Sequence, residues 1–144
     1  MIKHLSINYA QNIGVDKKIV HKLVSFIKKE LNFTISSLII NFVSAELITK
    51  ININYLDHKY STDIITFNYS GNHRLLDGEL YISVEDADLN AKKYRISSKF
   101  EYFRLVIHGI LHLLNYDDIK KHDRVIMKKL ENRLLSGFKN YLKG

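Results

Sequence analysis

The segment from Phe100 to Leu114 ends in a run of ten residues, 105–114, that are all apolar except for two histidines and one glycine. A helix on a protein surface carries polar residues on one face, whereas a helix that is apolar on most sides must be buried. The sequence therefore predicts a buried helix from Ser98 to Leu114, around which the rest of the chain has to pack. Histidine in such a place costs free energy unless its ring nitrogens have partners.

Shorter patterns on either side of this helix predict the other elements. β-branched and aromatic runs indicate strands, at Ile2–Ile7, Ser37–Val43, Asp63–Phe67 and Glu79–Ser83. Capping residues and apolar residues at helical spacing indicate helices, from Asp16 to Leu31, from Ser44 to about Asp57, after Ser83 to about Arg95, and from Asp118 to about Leu135. Few strands among several helices, without regular alternation, predict an α+β domain.

The length and composition of the chain exclude several classes of protein. A chain of 144 residues has the size of one ordinary domain, so we expect residues 1–144 to fold as a single unit. The chain has no cysteine, which excludes disulfides, thiolate metal ligands and a cysteine nucleophile. Its first ten residues lack the apolar stretch of a signal peptide, and no segment has the roughly 18 to 20 apolar residues of a membrane span. We therefore expect a cytoplasmic protein.

His108 and His112 are the residues of the buried helix with the clearest chemical meaning. Their spacing of four residues stacks both imidazoles on one helix face, about one turn apart, where both can bind one ion. Two core histidines bonded to the backbone or to a carboxylate would show the same spacing, so the pair alone leaves both interpretations open. Gly109 between them favours a packing or site constraint, because glycine in a helix interior costs about 1 kcal/mol relative to alanine.

Asp118 is the candidate third ligand. Asn115 tolerates the left-handed conformation that ends many helices, so the chain can turn back there and bring Asp118 to the two histidines. Two imidazoles and one carboxylate are an ordinary set of zinc ligands, and they leave a fourth position open, as catalytic zinc sites do. Such an ion lowers the pKa of its water toward 7. His122 is a rival third ligand, although its place inside the next helix favours a surface position.

Three segments of the chain match one known pattern in the same order. HGILHLLNYDD is similar to the signature His-Gly-x-Leu-His-Leu-x-Gly-Tyr-Asp-His. INYLDHKYSTDIITF resembles the block Leu-Asn-x-x-Tyr-Arg…Thr-Asp-Val-Leu-Ser-Phe, and DGELYIS resembles a Gly-Asp-Ile strand. These patterns belong to the YbeY family of metal-dependent endoribonucleases, and the resemblance runs from about Ile51 to Glu131, more than half of the chain.

The resemblance implies an α+β fold with a small mixed sheet, helices packed on that sheet, and a zincin-like metal-binding helix. It also implies hydrolysis of single-stranded RNA, in maturation of the 3′ end of small-subunit ribosomal RNA and in ribosome quality control. His108 and His112 match the first two metal ligands of the family. Asp118 matches the third, where the common pattern has histidine. The implied cofactor is one zinc ion, or another divalent ion, because a carboxylate is a harder ligand that loosens selectivity.

The sequence departs from the family pattern at other positions as well. Asn115 stands for a glycine, Glu79 for an aspartate, Ser61 for a proline and Leu56 for an arginine. If that arginine contacts the substrate in the family, either another basic group does so in this chain or its activity is weak. Glu79 stands where it could line the site and bond to a ligand histidine. Asp63 could line the same site, and a turn-forming or solvated carboxylate is the alternative for both.

The positive charge is concentrated at one end of the chain. The net charge is +7, and residues 119–144 hold eight basic and two acidic side chains, which is six of the seven excess charges. A solvated terminal helix and a phosphate-binding surface both fit this distribution. Because the excess begins directly after Asp118, at the edge of the candidate metal site, we expect Lys120, Lys121 and Arg124 to contact RNA phosphates.

Three functions fit the sequence. The first is a metallo-endoribonuclease that acts on single-stranded RNA, with ribosomal RNA and the small ribosomal subunit as partners and no membrane. The second is a zinc metallopeptidase, although Gly109 stands where those enzymes carry their catalytic glutamate. The third is a non-catalytic RNA-binding or ribosome-binding module with a vestigial metal site. The sequence indicates no general base, so metal-activated water is the only catalytic group that it suggests.

Overall fold

A computed structural model of the chain describes residues 1–56 and 62–144, without the side chain of Leu56. The expectations for the Leu56 side chain, for Asp57 as a helix end and for Ser61 therefore lie outside the described residues. Within the described ranges, the strands are β1 (Leu5–Tyr9), β2 (Thr34–Val43), β3 (Ile64–Asn68) and β4 (Leu75–Ser83). The helices are α1 (Lys17–Leu31), α2 (Ala45–Ile51), α3 (Val84–Tyr94), α4 (Ser98–Leu113) and α5 (Lys121–Lys143), and a π-helical turn, Asn52–Leu56, follows α2.

The four strands form one mixed sheet in the order β1-β2-β4-β3. β1 and β4 each lie parallel to β2, whereas β3 lies antiparallel to β4 at the edge of the sheet. The β1–α1–β2 connection is thus a parallel crossover, which the sequence patterns did not indicate. The α+β class with a small mixed sheet is confirmed.

α4 is the buried helix that the sequence predicts. Every residue from Leu105 to Leu113 is buried except His108 and His112, which are half-buried. The largest cluster of buried side chains joins this helix to the sheet, to α1 and to α5. The two histidines are therefore the polar groups of this stretch that reach the surface, and the rest of it is fixed by the core.

Gly109 lets α4 approach the sheet closely. A Cβ atom at this position would lie 2.8 Å from both Cδ atoms of Leu80 on β4 and 2.9 Å from Cδ1 of Ile64 on β3. Leu80 is fully buried and the partly buried Ile64 packs against the same core, so these side chains have little room to move away. The packing constraint expected from the sequence is confirmed, and it places the helix turn that carries the two histidines directly against the edge of the sheet.

The helix starts follow the capping residues of the sequence. The side chain of Asp16 accepts a hydrogen bond from Ile19 N (2.9 Å), and that of Ser44 accepts one from Leu47 N (3.2 Å). Ser83 and Ser97 cap α3 and α4 in the same way. Each cap satisfies a backbone N–H of the first helical turn, which has no partner inside the helix.

α5 differs at both ends from the helix that the sequence predicts. It begins at Lys121 rather than at Asp118, because Asp117 holds the preceding chain in a turn by accepting a hydrogen bond from Ile119 N (2.9 Å). It continues to Lys143 rather than ending at about Leu135, because Phe138 is buried in the core in edge-to-face contact with Phe103. β4 also begins earlier than predicted, at Leu75, because that residue pairs with Thr34 on β2. No helix within the described ranges is long and apolar enough to cross a membrane.

Candidate metal centre

The two histidines of α4 turn their rings toward each other at the helix surface. His108 Nε2 lies 3.1 Å from His112 Nε2, and the ring planes are inclined at 74°. Burial lowers the pKa of His112 below its ordinary value and the neighbouring His108 lowers it further, whereas Asp118 opposes both effects. This favours the neutral imidazole, which is the form that binds a metal ion.

The connection after α4 brings Asp118 to the histidines. Asn115 adopts a left-handed conformation (φ 74°), and Tyr116 N donates a hydrogen bond to Leu111 O (3.0 Å) across the helix end. This pattern is a Schellman motif, in which a left-handed residue ends the helix and turns the chain. Oδ2 of Asp118 then lies 3.6 Å from His108 Nε2 and 3.6 Å from His112 Nε2. The chain reversal expected from Asn115 is therefore present.

The spacing of the three donor atoms fits a divalent ion. In a tetrahedral zinc site with bonds of about 2.0 to 2.1 Å, neighbouring ligand atoms lie about 3.3 to 3.4 Å apart. The observed separations are 3.1, 3.6 and 3.6 Å. Two imidazole nitrogens and one carboxylate oxygen also suit zinc chemically, and the carboxylate admits other divalent ions. His108, His112 and Asp118 could thus hold one metal ion.

His122, the rival third ligand, has a different position. It is exposed in the first turn of α5. Among the described residues, it does not belong to the group whose donor atoms converge. Asp118 is therefore the residue that completes the set in this structure.

Glu79 does not bond to a ligand histidine, and that interpretation is wrong. Its carboxylate accepts hydrogen bonds from Asn41 Nδ2 (3.0 Å), Tyr69 Oη (3.2 Å) and Tyr81 Oη (2.9 Å). The reason is strand geometry, because neighbouring residues of β4 point to opposite faces of the sheet. Leu80 faces α4, so Glu79 faces away from it.

Glu131 on α5 takes the place that we expected for Glu79. Its Oε2 lies 2.8 Å from His108 Nδ1, and its side chain is only 2% exposed. The sequence holds a signal for this residue, because Glu131 falls on the apolar stripe that buries Met127, Leu134 and Phe138. A charged residue at a buried helix position indicates a partner of opposite charge or a polar site.

Arg104 is the second residue that the sequence analysis missed. It precedes His108 by four residues, so the two side chains share one face of α4. Its guanidinium donates to Glu101 through Nε (2.8 Å) and Nη2 (2.6 Å), and to Glu131 Oε1 through Nη1 (2.8 Å). The bonds with Glu101 raise the pKa of Arg104, and they outweigh the opposing effect of burial.

Asp63 and Asn90 extend this polar network toward the sheet. Asn90 Nδ2 donates to Asp63 Oδ2 (3.0 Å) and to Glu101 Oε2 (3.2 Å), and Arg104 Nη2 lies 4.0 Å from Asp63 Oδ2. Asp63 therefore reaches the candidate centre only through Arg104. The network ties the start of β3 and the helices α3, α4 and α5 to one ligand histidine.

A cleft of about 270 Å³ opens beside the candidate centre. Its walls include Arg104, His108, Asp118, Arg124 and Lys128. Of the three basic residues predicted to contact phosphate, Arg124 lines this cleft, and it also donates a hydrogen bond to Ile119 O (2.7 Å). Lys120 and Lys121 are exposed at the start of α5. Lys128, which was not predicted, adds a cation to the cleft.

The structure thus defines a mixed α+β domain whose central helix presents two histidines to a converging carboxylate, a group that could hold a metal ion. The family model described as "Endoribonuclease YbeY" matches residues 6–139. The chain belongs to this family, as its motifs predict.

Curated relatives support the same assignment. An "Endoribonuclease YbeY" of Chlorobium limicola is 39% identical over 106 residues, which span 74% of this chain and 73% of the relative. One from Chlorobium phaeobacteroides is 36% identical over 122 residues, 85% of each chain. One from Bacteroides fragilis is 42% identical over 95 residues, 66% of this chain and 68% of the relative. These names support the assignment of the chain as an RNA endonuclease.

The fold also matches a solved structure. The solution structure of TM1509 from Thermotoga maritima superposes with a TM-score of 0.62 at 22% sequence identity. The match covers 94% of this chain and 93% of that one. At this level of identity the likeness concerns the fold alone, and it supports the arrangement of elements described above.

Proposed function

We propose that this chain is a metal-dependent endoribonuclease that cleaves single-stranded RNA in the cytoplasm. Its substrate in this proposal is the precursor at the 3′ end of small-subunit ribosomal RNA, and its role includes ribosome quality control on the small subunit. Residues 1–144 act as one metallohydrolase domain. Membership of the YbeY endoribonuclease family supports the RNA endonuclease part of this proposal.

The observation that carries the metal dependence is the convergence of His108, His112 and Asp118. Their donor atoms lie within 4.8 Å of one another beside an open cleft. We assign these three side chains as the ligands of one ion, zinc in the first instance. A zinc ion supplies a Lewis acid for a phosphoryl oxygen and brings the pKa of a water into the neutral range.

The residues around the cleft have distinct tasks in this mechanism. Arg124 and Lys128 place two cations beside the ligand set, where they can bind the phosphates of the strand. Arg104 lines the same cleft, but two carboxylates already occupy its guanidinium, so we assign it a structural task. Gly109 leaves no side chain beside the two histidines, and a glutamate base of the peptidase kind is therefore absent from that position.

Cleavage of a labelled RNA oligomer under single-turnover conditions tests the proposal. We expect an unstructured RNA to be cleaved internally, and its duplex and the matching DNA to be cleaved far more slowly. A precursor spanning the 3′ end of small-subunit ribosomal RNA is the natural second substrate. A chelator should abolish cleavage, and added zinc should restore it, because in this proposal water is activated by the bound ion. Cleavage that is indifferent to the chelator would contradict the metal dependence.

Two other outcomes of the same assay would replace the proposal. Salt-dependent RNA binding without any metal-dependent product would identify a non-catalytic binding module. Chelator-sensitive cleavage of casein without cleavage of RNA would identify a peptidase.

Neutralising Lys120, Lys121 and Arg124 to glutamine should weaken RNA binding and flatten its salt dependence. Each phosphate contact on a single strand contributes about 0.7 to the slope of log K against log salt, so the loss of three contacts lowers the slope by up to about 2. Binding at several salt concentrations measures this. The matched control replaces Lys17, Lys18 and Lys22 on α1, which are exposed and lie outside the cleft. Equal slopes for both triple variants would show that only net charge matters.

A further inference from the structure

The two ligand histidines are oriented by different parts of the molecule. The imidazole of His112 lies beside the backbone of Tyr116, three residues beyond the end of α4. His108 instead uses the side chain of Glu131, which lies 23 residues away on α5. Its orientation therefore depends on a single side chain from another helix.

Glu131 is held in place by its other oxygen. Oε1 accepts a hydrogen bond from Arg104 Nη1 (2.8 Å), and Lys128 Nζ lies 3.7 Å from the same oxygen. Because a guanidinium and an ammonium group both face Oε1, the geometry favours the ionised carboxylate. Its two oxygens have separate partners, since Oε2 faces His108 Nδ1.

An ionised carboxylate can only accept hydrogen bonds. The proton between Glu131 and His108 must then lie on Nδ1 of the imidazole, and in the neutral ring Nε2 carries a lone pair. Nε2 is the atom that faces His112 Nε2 and Asp118 Oδ2. The contact with α5 therefore selects the tautomer in which His108 can bind an ion.

We propose that Glu131, anchored by Arg104, is a positioning residue of the metal centre, which fixes the Nδ1-protonated tautomer of His108 and so raises the affinity for the ion. This inference rests on the proposed function in that it takes His108 as a ligand. Carboxylates that bond to a ligand histidine in this way contribute about 10- to 100-fold to metal affinity in other proteins.

Glu131→Gln separates this role from a structural one. Arg104 has only donors to offer, so the amide oxygen must face Arg104 and the amide NH₂ group then faces Nδ1 of His108. An NH₂ group favours the opposite tautomer, with the proton on Nε2. Glu101→Gln is the matched control, because Glu101 is equally buried and also binds Arg104 but has no contact with His108.

The experiment combines two measurements on both variants. Nitrogen-15 NMR of the metal-free protein at about pH 8, above the ordinary histidine pKa of about 6.5, reports the tautomer of His108. We expect the Nδ1-protonated form in the unsubstituted protein and in Glu101→Gln, and the Nε2-protonated form in Glu131→Gln. Competition with a chelator should show zinc binding about 10- to 100-fold weaker in Glu131→Gln.

The outcomes separate this inference from the proposed function. An unchanged His108 tautomer in Glu131→Gln, or equal losses of zinc affinity in both variants, would overturn the positioning role even if the protein cleaves RNA. A tautomer change with weaker zinc binding in Glu131→Gln alone would support it, and this holds even if no RNA is cleaved.

Discussion

His112→Ala is expected to lower zinc affinity and metal-dependent RNA cleavage by more than about 100-fold. Loss of an outer partner of a ligand histidine already costs about 10- to 100-fold, and this variant removes one of the three ligands themselves. His112 Nε2 lies 3.1 Å from His108 Nε2 and 3.6 Å from Asp118 Oδ2, so no remaining side chain of the set can replace it. Chelator competition measures the affinity, and single-turnover kinetics measure the cleavage.

Two matched controls show whether the effect belongs to the ligand set. His122→Ala removes the other histidine of this region, which is exposed on α5, and should leave both quantities unchanged. Asp118→Asn should weaken zinc binding, whereas Asp117→Asn should not, because Asp117 accepts a hydrogen bond from Ile119 N and is not part of the ligand set. Zinc affinity that falls with His122→Ala, and not with Asp118→Asn, would identify a different third ligand.

The convergence of His108, His112 and Asp118 was predictable from sequence because its geometry is local. His108 and His112 are one helical turn apart, and Asp118 follows within six residues across a single helix end. Only two local facts were needed, the period of the helix and the left-handed conformation of Asn115 (φ 74°). The spacing left two core histidines and a third ligand at His122 as alternatives, and the structure brings the donor atoms of His108, His112 and Asp118 together.

Glu131 and Arg104 were not predicted because their roles depend on how α5 packs on α4. Nothing in the spacing of 27 residues between them indicates the distance of 2.8 Å between Arg104 Nη1 and Glu131 Oε1. The position of each residue nevertheless indicates a role, since both are charged residues on helix faces that are otherwise buried. Their positions on the helices therefore carry more information than their contribution to the net charge.

The C-terminal end of α5 also depends on a contact between distant elements. Local propensity placed its C-terminal end near Leu135, but the burial of Phe138 against Phe103 continues the helix to Lys143. Most helical stability in proteins comes from the packing of an apolar face rather than from propensity. The boundaries that depend on contacts between distant elements are therefore the ones that the sequence patterns misplaced.

Arg104→Met is expected to destabilise the metal-free protein by about 3 to 5 kcal/mol, because it leaves two buried carboxylates without their cation. Glu101 is fully buried and Glu131 is 2% exposed, so water cannot take over the lost hydrogen bonds. This cost is a large part of the roughly 5 to 15 kcal/mol by which ordinary domains are stable. Urea unfolding of the protein with and without the substitution measures it.

Lys128→Met is the matched control for Arg104→Met, because Lys128 faces the same oxygen of Glu131 at 3.7 Å with its side chain 60% exposed. Exposed ion pairs contribute at most about 1 kcal/mol, so this variant should unfold almost as the unsubstituted protein does. If Arg104→Met prevents folding, Arg104→Lys is the alternative variant, because it keeps the charge but loses the two-pronged bond to Glu101. It should still lower the free energy of unfolding by more than Lys128→Met does. Equal free energies of unfolding for the Arg104 and Lys128 variants would mean that the buried network does not hold α5 on α4, and that Glu131 reaches His108 by other contacts.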